Sequence, residues 1–151
     1  MNLIIIGCGS VGTYLAQLLL DGGHRVCAIE RDSTRAQRAQ TRLPSGSVVT
    51  GDGTDPSTLE GAGIVAAEAV VAVTGADETN LVVTSLARFA FAVPRVIARV
   101  NDPHNAWMFT PAMGVDIALN QANLLAHLIT DELDLGGMQT LLKLRRGQYA
   151  L

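Results

Sequence analysis

Gly7-Cys8-Gly9-Ser10-Val11-Gly12 has the residue types and spacing to hold a diphosphate. Gly7 permits a tight turn, and Gly9 lets the backbone approach a phosphate with no Cβ in the way. Gly12 lets the following helix pack close to the preceding strand. The start of that helix offers free N–H groups and a positive dipole end to the anion. The flanks agree. Residues 2–6 form a short apolar run rich in β-branched residues, as in a central parallel strand, and Tyr14, Leu15 and Leu18 belong to a helix. Strand, G-x-G-x-x-G and helix in succession make a weak motif specific.

Further candidates recur at the ends of later apolar runs. Glu30 lies 18 residues after Gly12, where an acid accepts the ribose hydroxyls of a bound dinucleotide. Its charge repels a 2′-phosphate, which favours NAD or NADH over the phosphorylated forms. Arg31 follows and pulls the other way. Asp52, in the loop over 51–56, suits either an adenine amino group or a helix-capping turn. Thr74 and Gly75 follow the fourth apolar run and are expected to face the first glycine turn across the crevice. Asp77 and Glu78 behind them also fit plain helix-start roles. Arg99 suits an anion, or a partner in Glu30, Asp77 or a second subunit.

The elements that must position these residues alternate. Strands are predicted at 2–6, 25–30, 47–50, 69–73, 94–98 and 115–119. Between them come a first helix ending near Asp21, a polar helix over 34–42 and a short one over 56–61. A long one follows from residue 74 to about 91, and then one over 103–113 carrying Trp107, Met108, Phe109 and Met113. A last apolar helix covers 122–133, with Leu124, Leu125 and Leu128 suited to the sheet. Six strands and their helices predict an α/β Rossmann fold, a doubly wound parallel sheet of order 3-2-1-4-5-6. Its nucleotide-binding domain is expected to span 1–133, with 134–151 as a linker or tail. Exposed apolar positions such as Ile129 and Leu133, with few charges to solvate them, predict a homodimer or higher ring.

Composition narrows the function. The 151 residues are 48% apolar but only 4% aromatic, so the core is aliphatic. A net charge of −3 gives no basic footprint for nucleic acid. Cys8 and Cys27 fit small buried hydrophobes better than a disulfide or metal pair. The three histidines show no ligand spacing. No apolar stretch reaches the roughly 18 residues of a membrane helix, and no leader pattern is visible, so a cytoplasmic location is expected. No Tyr-x-x-x-Lys pair and no nucleophile–base set accompany the glycine turn. Ligand binding without turnover is therefore expected. The alternatives are an NAD-dependent oxidoreductase or a redox-sensing NAD-binding domain working with a separate partner chain.

Beyond the glycine motif, Ile29-Glu30-Arg31-Asp32, Gly51-Asp52-Gly53-Thr54, Thr74 to Asn80, Ala98 to Pro103 and Gly114-Val115-Asp116 appear in order. Together they resemble the RCK/KTN (TrkA-N) domain, the nucleotide-binding regulator of potassium channels and of Trk/Ktr uptake systems. The resemblance covers about residues 1–135. It implies a cytoplasmic dimer or ring attached to a membrane potassium-translocating pore subunit, biased by NAD(H) or by AMP, ADP or ATP. By that match Gly7, Gly9, Ser10, Val11, Gly12, Glu30, Arg31, Asp52, Thr74, Gly75 and Arg99 serve the nucleotide. Two departures stand out: no C-terminal RCK-C domain is expected within the chain, and Ser10 stands where some Ktr-type members have an ATP-contacting arginine.

Overall fold

The computed structural model describes residues 1–135. β1 (Asn2–Ile6) lies inside a six-stranded sheet with β2 (Arg25–Glu30), β3 (Val48–Thr50), β4 (Ala69–Ala72), β5 (Arg95–Val100) and β6 (Ile117–Asn120). The spatial order is β3-β2-β1-β4-β5-β6, and every pair is parallel. This is the predicted 3-2-1-4-5-6 Rossmann sheet. Ile6 registers against Ile29 on one side and Ala72 on the other, so the three central strands deliver their carboxyl ends at one level.

Parallel strands need crossovers, and here they are helices on both faces. α1 (Ser10–Asp21) and α2 (Ser33–Arg42) cover one face, while α3 (Pro56–Gly61) and α4 (Asp77–Ser85) cover the other. The two-residue period of β1 divides the core between them. Leu3 and Ile5 pack with Ala16 of α1 and Ala39 of α2. Ile4 and Ile6 pack with Leu59 of α3 and Val83 of α4. α2 is polar, and its two buried residues are Ala36 and Ala39, small enough to bring the helix close to the sheet. Asp32 caps α2 by accepting from the Arg35 N–H at 2.9 Å. Asp55, followed by Pro56, does the same for α3 through the Ser57 N–H at 3.0 Å.

Several boundaries differ from expectation. α1 starts at Ser10, inside the glycine motif, rather than at Tyr14. The long helix after β4 is α4 plus a π-helical turn, Leu86–Ala90. The helix expected over 103–113 is two 3-10 turns, Pro103–Met108 and Pro111–Met113. Pro111 explains the break, because it donates no N–H and forces Thr110 extended, at φ −124° and ψ 165°. Of the bulky residues there, Phe109 enters the core and Trp107 stays 75% exposed. β6 begins at Ile117 rather than Val115, because Asp116 is spent on fastening β5: its N–H bonds the Val96 carbonyl and its carboxylate accepts from the Val96 N–H and from Arg88. The last helix, α5 (Gln121–Leu135), is longer than expected. Leu124 and Leu128 are half-buried there, while Leu125 is 50% exposed rather than packed on the sheet. Apart from Asp134 and Leu135, which are helical, the expected tail lies outside the described residues.

Among the described glycines, the closest approach is at Gly12, where an added Cβ would sit 1.8 Å from the Gly7 carbonyl oxygen. Gly12→Ala must therefore push α1 off the sheet. We expect a loss of about 3 kcal/mol of stability, read as a lowered urea midpoint, at the upper end of ordinary overpacking costs. An unchanged midpoint contradicts this packing.

Candidate functional site

A crevice of about 480 Å³ opens at the carboxyl ends of β1, β2 and β4. Strand order reverses here, with β2 leaving β1 on one side and β4 on the other, and open α/β sheets hold ligands at such a point. Gly7 takes φ +108°, a conformation that favours glycine, and its N–H donates to the Ile29 carbonyl at 2.8 Å. A Cβ on Gly9 would meet nothing within 4 Å, so the missing side chain leaves that wall of the crevice open. No side chain caps the N-terminus of α1. An anion fits these features.

Of the residues singled out from sequence, Gly7, Gly9, Glu30, Arg31, Asp52, Thr74, Gly75 and Arg99 line this crevice together. Ser10, Val11 and Gly12 do not. Ser10 lines a neighbouring groove, Val11 is 41% exposed, and Gly12 is buried under the turn.

Glu30 is 6% exposed and ties two loops together. Its carboxylate accepts the Cys8 N–H at 2.9 Å and the Asp32 N–H at 2.8 Å, and the Arg35 guanidinium lies 3.5 Å away. The acid that the spacing assigned to ribose hydroxyls thus also fixes the glycine turn. Cys8 is buried beside it. Burial, then the Glu30 charge, pushes the Cys8 thiol up to about 12, so it is a neutral thiol and no nucleophile at neutral pH. Asp52 accepts from the N–H and hydroxyl of Thr54 at 2.9 and 2.7 Å. Those hydrogen bonds hold its carboxyl below the usual range, so it presents a charged acceptor to the crevice.

The opposite wall depends on a network that the sequence did not single out. Asn80 is fully buried on α4. Its Oδ1 accepts from the Thr74 N–H at 3.0 Å and the Thr74 hydroxyl at 2.7 Å. Its Nδ2 donates to the carbonyls of Thr74 and Arg99 at 3.1 and 3.0 Å. Arg99 donates to Asn101 Oδ1 at 3.0 Å and the Thr74 carbonyl at 3.2 Å, rather than pairing with Glu30 or Asp77. Asp77 does not cap its own helix. Its carboxylate takes the N–H groups of Asn101 and Asp102 at 2.6 and 2.9 Å, and the side-chain amide of Asn105 at 2.9 Å. A sequence signal existed: Asn80 falls three residues after Asp77, on one helix face, at a strand-to-helix junction.

Burial pulls the Asp77 pKa up, but the donors from Asn101, Asn105 and Asp102 together outweigh it and hold it below the usual carboxylate range. A depressed folded-state pKa adds stability above the unfolded value, about 3.9, and that stability is lost as pH falls through the folded pKa. Asp77→Asn should therefore cost roughly 1–3 kcal/mol at pH 7. Its deficit against the parent should shrink below about pH 4. Urea melts at several pH values check this, and a pH-independent deficit contradicts it.

Comparison with known proteins identifies relatives of this chain. A sequence model of the TrkA-N domain matches residues 3–121. The Trk system potassium uptake protein TrkA of Mycobacterium tuberculosis is 38% identical over 151 residues, covering all of this chain and 68% of its own. Among solved structures, GsuK bound to ADP gives a TM-score of 0.74 at 28% identity, over 88% of this chain and 34% of that one. The GsuK channel bound to NAD gives the same TM-score and identity, over 88% of this chain and 23% of that one. The chain thus spans about two thirds of the mycobacterial relative and 34% and 23% of the two GsuK chains. With most of its length matched by the domain's sequence model, the chain belongs to the TrkA-N family.

Proposed function

We propose that this chain is a cytoplasmic nucleotide-binding regulatory domain that biases a membrane potassium-translocating subunit and catalyses no reaction of its own. One observation carries the reading: in a TrkA-N chain, the glycine turn, Glu30, Asp52, Thr74 and Arg99 converge on one crevice at the switch point of the sheet. The ligand is NAD or NADH, with AMP, ADP or ATP as smaller occupants of the adenosine half. The diphosphate rests on the N–H groups of Gly9, Ser10 and Val11, with Arg99 opposite. The ribose hydroxyls donate to the free lone pairs of Glu30. Asp52 faces the base. Residues 1–133 form the nucleotide domain and 134–151 a linker or tail. No helix among the described residues is long and apolar enough to cross a membrane.

Regulation requires differential affinity of the nucleotide for two states of an assembly. The exposed surface supplies a face for self-association. Leu125, Ile129 and Leu133 follow one another at four-residue spacing along α5 and are 50%, 60% and 81% exposed. Such a stripe is one helix face, and the other described residues leave it exposed. A homodimer formed there is the smallest assembly that fits the family's role.

Two tests follow from this reading. By calorimetry, NADH should bind more tightly than NADPH. Glu30→Gln, which removes the charge and keeps an acceptor, should weaken NADH by about 1.5–3 kcal/mol. NADH left with the protein and small carbonyl compounds should not be consumed. Absence of NADH binding, or steady consumption, contradicts the reading. Separately, cells lacking this chain should show altered potassium uptake that the parent restores. Ile129→Asp should be monomeric by light scattering and fail to restore uptake. A potassium flux indifferent to the chain contradicts the regulatory role.

A further inference from the structure

Next to the crevice runs a second groove, of about 280 Å³, between the first turn of α1 and the length of α2. Gly9 and Arg35 line both, so the two spaces adjoin each other at these residues. Arg35, Arg38 and Arg42 form one wall, over a floor at Ala39. At 100° per residue the three arginines fall within an arc of about 60° on α2. That helix contains no acidic residue. Arg35 reaches the Glu30 carboxylate at 3.5 Å. The guanidinium groups of Arg38 and Arg42 make no ion pair or hydrogen bond among the described residues. Across from them stand Ser10 and the uncapped N-terminus of α1.

Arg35 is partly balanced by Glu30 and by Asp32 at 4.0 Å, while Arg38 and Arg42 leave two unpaired positive charges on this wall in a chain of net charge −3. Guanidinium forks, a hydroxyl and helix N–H groups are the donor set for a phosphate. Its place is specific. Glu30 fixes the ribose edge of the crevice and holds the Cys8 N–H, and Cys8 lines the groove. A substituent leaving the ribose hydroxyl edge therefore enters between Ser10 and the arginines. Glu30 opposes a phosphate there, but two N–H groups and Arg35 already offset part of its charge.

Resting on the nucleotide reading above, we propose that this groove is a subsite for a phosphate carried on the adenosine ribose, so that the chain takes a 2′-phosphorylated dinucleotide as well as NAD(H). Glu30 sets the preference for the unphosphorylated form, and the α2 arginines keep the phosphorylated form within reach. Neither Arg38 nor Arg42 lines the dinucleotide crevice, and both are exposed, so they can be changed without touching it.

The test is calorimetric titration of the parent and of Arg38→Ala/Arg42→Ala with NADH and with NADPH, each at low and high salt. The double variant should bind NADH within twofold of the parent and NADPH at least tenfold more weakly. The salt dependence of NADPH binding should fall with it. Arg38→Lys/Arg42→Lys, which keeps the charge, should recover part of the NADPH affinity. Equal losses for both ligands, or no loss for either, overturn the proposal. Inorganic phosphate binding as well to the NADPH-loaded protein as to the free protein would mark a free-anion site apart from the ribose, and overturns it too. Failure of NADH to bind the parent overturns the underlying nucleotide reading, which is a distinguishable result.

Discussion

There is no room for a methyl group at residue 12. The Gly7 carbonyl occupies the place where a Cβ would go, so α1 descends onto the turn closely enough to aim its N-terminus at the sheet's carboxyl edge. The remaining geometry follows from that approach. A helix held this close begins inside the glycine motif, at Ser10, and no side chain caps its first N–H groups beside the crevice. Glu30 secures the same turn from the neighbouring strand by taking the Cys8 N–H. One carboxylate thereby joins the β1–α1 and β2–α2 junctions, and it does so on the side where a ribose would lie.

The far side of the crevice is built by a different device. Thr74, Asn80, Asp77, Arg99 and Asn101 form a polar network across the ends of β4 and β5. The Thr74 carbonyl alone receives Asn80, Arg99 and Asn101. A buried amide such as Asn80 is stable only because each of its atoms is satisfied, which makes the arrangement specific. Arg99 therefore faces the crevice from a position fixed by neutral acceptors, with no carboxylate among the described residues paired with it. A guanidinium held this way stays available to an anion.

Much of this was legible in the chain. The apolar runs and their spacing gave the sheet and its order, because buried parallel strands leave continuous β-branched signals. The glycine motif and Glu30 were found from spacing alone, since backbone approach and a strand-end acid leave few alternatives. The network at Asn80 and Asp77 was not, because a buried amide and a capping acid read alike until the partners at Asn101 and Asn105 are brought in from about 25 residues away. The break at Pro111 lies inside the helix expected over 103–113, and a proline that donates no N–H is the sequence feature that signals it. The α2 arginines read as the solvated face of a polar helix, and only the fold sets them beside Ser10.

The central claim is that the glycine turn and Glu30 hold the adenosine end of a nucleotide. The most direct measurement is a crystal structure of the chain grown with NADH. The account predicts the diphosphate on the N–H groups at the start of α1 and the ribose hydroxyls within hydrogen-bond distance of Glu30. A dinucleotide found outside the crevice, or one whose ribose makes no contact with Glu30, would contradict it.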